Sequence, residues 1–150
     1  MARRPLSDAA VRSMHLVALD STNLVRRLDE RHLEMVSAFS RLRDREGLLG
    51  SMRNVGLSAR FEDVAALPPA VQTAVAAFYE LVDELRWYFQ FTTDMPGTLA
   101  DRFTGYRKQL GEAHAVLAVA LETASETQNG APRPRTRKKS GPKLPARSAS

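Results

Sequence analysis

Apolar residues recur every three or four positions through most of this chain, the spacing that lines one face of an α-helix. The clearest run is Leu99, Phe103, Tyr106, Leu110, Ala113, Leu117, Ala120 and Ala124, whose alternating steps of four and three draw one stripe down a helix. Pro96 and Gly97 break the segment before it, and Thr98 with Asp101 forms a Thr-x-x-Asp capping pattern that predicts its start. Gln128, Asn129 and Gly130 predict its end. A second helix carries Val71, Val75, Phe78, Val82, Leu85 and Phe89 on the same steps. Pro69 suits its first position, where no backbone donor is required.

The first apolar segment is longer, covering residues 7–46, with Met14, Val17, Ser21, Leu24, Leu28, His32, Met35, Phe39 and Leu42 as its stripe. Consecutive four-residue steps from Leu24 through Leu28 to His32 shift the seam. Asp20, Ser21, Thr22 and Asn23 are four successive weak helix formers that favour caps, so the segment either runs on or breaks near Asn23. Gly47, Gly50 and Gly56 are expected to end it, and Ser58 to cap a short helix through Phe61, Val64 and Leu67.

These patterns predict an all-α fold. Residues 1–127 form an antiparallel three- or four-helix bundle with a long first helix, and residues 128–150 form a disordered basic tail. Pro132, Pro134, Pro142 and Pro145 forbid another helix in the tail, and nothing there offsets the entropy of ordering. At 1.5 Å per residue an unbroken first helix spans roughly 60 Å and the other two roughly 40 Å each. The overhang would leave Leu16, Val17 and Leu19 in water unless the helix folds back or a second copy covers it. A homo-oligomer, with a dimer as its simplest form, is therefore expected.

Charge sharpens the division. The net charge is +5, yet residues 128–150 hold seven basic side chains and no acid: Arg133, Arg135, Arg137, Lys138, Lys139, Lys143 and Arg147. Residues 1–127 are left with 15 basic against 17 acidic groups, a net of −2. A mildly acidic body carries a strongly basic tail. Extended by its prolines, such a tail neutralises phosphates by counterion release without reading sequence. Its arginines resemble those of AT-hook segments, although Pro134 stands where those segments place a central glycine.

The chain has no cysteine, which removes disulfides, thiolate catalysis and cysteine-based zinc sites. Arg3 and Arg4 are followed by no apolar run of signal-peptide type, and no stretch approaches the ~18 apolar residues of a membrane span, so a cytoplasmic location with no membrane partner is expected. No enzymatic role and no cofactor are expected either. Asp29-x-x-His32 puts a carboxylate and an imidazole one turn apart, but di-iron bundles use a Glu-x-x-His pair twice with two further glutamates, and the histidines here are only His15, His32 and His114. The run from His15 to Leu24 resembles the signature of histidine phosphotransfer domains through its histidine and its Ser21-Thr22-Asn23-Leu24. Ala18 and Leu19 stand where that family has lysine and glycine, which removes the phosphate-assisting group. Leu48-Leu49-Gly50-Ser51-Met52-Arg53 is similar to peptides that dock cargo into encapsulin shells, though it lies between helices rather than at a terminus.

Two candidate surfaces follow. The seven tail cations are expected to form a polyanion-binding segment, for nucleic acid or another polyanion. Among the clustered aromatics Phe78, Tyr79, Trp87, Tyr88, Phe89 and Phe91, the residues Tyr79, Trp87 and Phe91 fall off the apolar stripe. They are expected to face a partner protein, since exposed aromatics are enriched in interfaces. Glu80, Asp83 and Glu84 lie beside them and disfavour nucleic acid on that face.

Overall fold

The computed structural model describes residues 5–54 and 64–130, and these are all-helical apart from short connections. Among the described residues four helices follow one another: α1 (Asp8–Leu42), α2 (Arg45–Ser51), α3 (Pro69–Phe91) and α4 (Pro96–Asn129). The first part of the short helix expected from Ser58 lies outside the described residues, as do the basic positions 133–147; of its later part, Val64 and Ala65 are helical and Leu67 is buried.

The N-terminus of α1 is capped by Ser7, whose Oγ accepts the Ala10 N–H at 3.1 Å, and Asp8 places a negative charge in the first turn. The helix then runs unbroken through Asn23. Three of the four weak helix formers there direct their side chains to other side chains, and Ser21 bonds back to its own helix one turn earlier without breaking it. Asp20 accepts from Tyr79, Ser21 donates to the Ala18 carbonyl, Thr22 meets His114, and Asn23 accepts from Arg26.

α1 ends at Leu42, earlier than the glycines predict. Arg43 takes the left-handed conformation (φ 51°) that usually falls to glycine, returning its N–H to the Phe39 carbonyl while its guanidinium lies 5.2 Å from the Phe39 ring centroid. Gly47 and Gly50 belong to α2. Asp44 caps that helix by accepting the Gly47 N–H at 3.0 Å, and a Cβ on Gly47 would sit 2.7 Å from the same carboxylate. At this position glycine makes room for the cap.

α3 opens on Pro69, as its sequence predicts, whereas α4 opens earlier than its capping pattern does. Met95 is the N-cap and Pro96 the first helical residue, so the fixed φ of proline starts the helix and the Thr98–Asp101 pattern falls inside it.

The predicted stripes are the core. Leu24, Leu28, Phe39, Phe78, Leu85, Phe89, Leu99, Phe103, Leu110 and Leu117 are almost entirely buried, and the Phe89 and Phe103 rings meet edge to face at 5.1 Å. Each such side chain contributes about 1.5–3 kcal/mol on burial. His32 is half-buried, and Leu42 at the end of the stripe is exposed. α4 packs along both α1 and α3, while α2 bridges α1 and α3. Thr22 meets His114 and Asp29 meets Arg107, so α1 and α4 run in opposite directions.

The 35 residues of α1 and 34 of α4 give nearly equal lengths, about 52 and 51 Å. The expected overrun of α1 is absent. Val11, Met14 and Ala18 lie beside Leu121 and Ser125 at one end, and Val36 and Ser40 beside Ala100 and Thr104 at the other. Val17 is buried; Leu16 and Leu19 remain exposed.

Candidate functional site

Two arginines fasten α2 between its neighbours. Arg45, in the first turn of α2, donates to the carbonyls of Phe89 (3.2 Å), Gln90 (3.1 Å) and Thr92 (2.5 Å), acceptors that the end of α3 leaves without helical partners. Arg27 of α1 does the same for α2, donating to the carbonyls of Ser51 (3.0 Å) and Arg53 (2.6 Å). Periodicity reads the apolar face and is silent about these polar clamps.

The histidines are dispersed. Nδ1 of His32 is 2.7 Å from the carbonyl of Asp29, within the same helix, and the Asp29 carboxylate is held by Arg107 at 3.1 Å. His114 contacts Thr22 at 3.2 Å and tilts against Phe78, while His15 is exposed. Among the described residues no three His, Asp or Glu side chains converge as metal ligands would. Leu48, Ser51 and Met52 are buried, so the segment similar to a cargo-docking peptide is part of the core.

The three aromatics expected on one partner-facing surface separate into two environments. Tyr79 is half-buried, packs edge to face on Phe78 at 5.1 Å, and donates its hydroxyl to Oδ2 of Asp20 at 2.6 Å. Burial pushes the phenol well above its ordinary value, and the hydrogen bond to the Asp20 carboxylate and that carboxylate's charge add to the rise. Tyr79 thus ties α3 to α1. Tyr88 is buried and donates to Asp94 at 2.7 Å; its own phenol is raised, first by burial.

Trp87 and Phe91 are different. They are one helical turn apart on the outer side of α3, 65% and 56% exposed, with ring centroids 5.2 Å apart. Glu80, Glu84, Trp87 and Phe91 follow steps of four, three and four, which places them on one stripe, with Asp83 beside it. All five are exposed, and among the described residues the three carboxylates make no ion pair. The stripe thus combines an exposed aromatic pair with exposed carboxylates. Met95 is also exposed in the connection that follows α3.

An apolar groove of about 720 Å³ lies at the opposite end, lined by Leu6, Leu67, Pro69, Val71, Ala120 and Ala124 among others. Its polar lining is Thr123, Thr127 and Gln128 of α4, with no charged side chain among its lining residues. No helix among the described residues is long and apolar enough to cross a membrane.

No protein family, curated protein or solved structure matches the chain.

Proposed function

We propose that this chain is a non-enzymatic helical adaptor: an antiparallel helical bundle that carries a polyanion-binding segment at the end of α4. The observation behind the reading is the position of the charge boundary. α4 ends at Asn129, and every charged residue after it is positive, whereas the part up to Thr127 is net negative. Arg133, Arg135, Arg137, Lys138, Lys139, Lys143 and Arg147 supply sequence-independent affinity for nucleic acid or a comparable polyanion. Self-association of the body belongs to the same proposal. Leu16 and Leu19 on α1, with Val116 and Val119 on α4, offer apolar surface for it, and joining two basic segments would raise avidity without new contacts.

The test compares the intact chain with one truncated after Asn129 for binding to labelled duplex DNA. Binding by the intact chain alone supports the reading; equal binding by both forms refutes it. The exposed Trp87–Phe91 stack favours a second reading, a protein-interaction module in which that face is the functional surface and the basic segment is incidental. That reading predicts that Trp87→Ala abolishes partner capture while truncation after Asn129 leaves it intact.

A further inference from the structure

Two features on this chain fit each other. One is the outer stripe of α3, where Trp87 and Phe91 stand exposed beside Glu80, Asp83 and Glu84. The other is the basic segment from Arg133 to Arg147, seven cations with no acid among them. α3 and α4 set the distance between the two. The last turns of α4 lie beside the first turn of α3, since Ala124, Thr127 and Gln128 line the same groove as Pro69, Ala70 and Val71. Phe89 meets Phe103 and Phe78 meets His114, so α4 runs antiparallel to α3 and overruns its start by about 10 Å, and a segment leaving Gly130 reaches the acidic stripe by turning back along α3.

The segment is long enough. Along the α3 axis from the level of Gly130, Glu80 to Glu84 lie about 27–33 Å away and Trp87 about 37 Å. Residues 131–150 have a contour of about 62 Å at about 3.1 Å per residue, so the later cations of the segment, Lys143 and Arg147, can reach both the carboxylates and the indole, whose face attracts cations.

We propose that the α3 stripe is a docking face for the chain's own basic segment, which lies along Glu80, Asp83, Glu84 and Trp87 when no polyanion is bound and leaves when one is. The occupant is this segment rather than another protein because the stripe's three carboxylates have no ion-pair partner among the described residues, and the matching cations are tethered within reach. Tethering replaces a bimolecular encounter by an effective concentration in the millimolar range, so contacts too weak to hold a free peptide suffice. The dock acts as a filter. A polyanion must outcompete the α3 carboxylates before it engages the segment, which weakens incidental anion binding. This inference rests on the segment being cationic and available, as in the adaptor reading, but its test does not require DNA binding.

Trp87 is the only tryptophan and reports the dock directly. Acrylamide quenching of its fluorescence is measured at low salt in the intact chain and in the chain truncated after Asn129, each with and without the substitutions E80Q, D83N and E84Q. The expected result is slower quenching in the intact chain than in the truncated one. The difference should disappear in 1 M salt, disappear in the substituted background, and stay constant across protein concentration. Because each comparison is made within one background, direct effects of the substitutions on the indole cancel. Circular dichroism checks that all four chains are folded; if the triple variant is not, the salt series and the truncation decide alone. Equal quenching with and without the segment would overturn the proposal. Protection that grows with protein concentration would overturn it in favour of docking between two copies. A dock occupied about nine-tenths of the time would also lower polyanion affinity about tenfold. The substituted intact chain should then bind duplex DNA about tenfold more tightly, while neutralising Glu30, Glu34 and Glu122 on other faces should not reproduce the gain. Failure of DNA binding in every form would refute the adaptor reading and leave the quenching result standing.

Discussion

Replacing Arg45 with methionine keeps an apolar stem and removes the guanidinium that closes α3. Three carbonyls lose their donor, those of Phe89, Gln90 and Thr92, at 3.2, 3.1 and 2.5 Å. The contact to Gln90 is exposed, so water replaces it at little cost; those to Phe89 and Thr92 are partly buried. A hydrogen bond from a charged donor contributes about 1.5–3 kcal/mol in favourable cases, and a cation at a helix C-terminus about 0.3–1 kcal/mol. These contributions share one side chain and do not add fully. The expected loss is about 2–3 kcal/mol, equivalent to a fall in melting temperature of about 6–15 °C for a chain of this size. Urea denaturation followed by circular dichroism measures it. Arg45→Lys should lie between the two, because the ammonium keeps the charge but not the planar fork that spans several carbonyls. A methionine variant within about 0.5 kcal/mol of the native chain would refute the view that α2 holds the end of α3 through this residue.

Other changes probe other contacts. Tyr79→Phe should cost about 1 kcal/mol near neutral pH by removing the donor to Asp20. Because the folded phenol's pKa is raised, that contribution is complete below about pH 10 and declines above it, so the gap between variant and native chain should narrow in alkaline denaturation titrations. Gly47→Ala should lose part of the Asp44 cap, about 1 kcal/mol, despite the better helix propensity of alanine, and Asp44→Ala made in the Gly47→Ala background should add little further loss. Light scattering at micromolar concentration should report a dimer or larger species if the proposed self-association holds, and Leu16→Glu with Leu19→Glu should return it to a monomer without loss of helicity.

The fold was legible wherever one face of a helix is buried. Leu99 to Ala124 and Val71 to Phe89 were readable because close packing demands a strict alternation of three and four, and substitution within it is costly. The helix ends were less readable, for three local reasons. Arg43 occupies a left-handed position that sequence rules give to glycine, with Phe39 beneath its guanidinium. Pro96 outcompetes the Thr98 capping pattern because its φ is already helical. The run from Asp20 to Asn23 reads as a break, but long-range partners, Tyr79 and His114, engage two of its side chains. Surface placement was half legible. Trp87 and Phe91 were assigned to a flank by their position off the stripe and are exposed, whereas Tyr79, judged by the same criterion, turns toward Asp20. Period alone cannot tell a flank facing a neighbouring helix from one facing solvent.

The proposed adaptor role rests on the charge boundary beyond α4, and the salt dependence of DNA binding tests it most directly. Each phosphate neutralised contributes about −0.9 to the slope of log affinity against log salt concentration. Engagement of all seven cations gives a slope of about −6, and engagement of four or five about −4. The body, net negative, adds little. Fluorescence anisotropy with several unrelated duplexes between 50 and about 200 mM salt should give a slope in that range, the same for each sequence. Changing Arg133, Arg135, Arg137, Lys138 and Lys139 to alanine should flatten it. A slope near zero, or one that survives truncation after Asn129, would contradict the account.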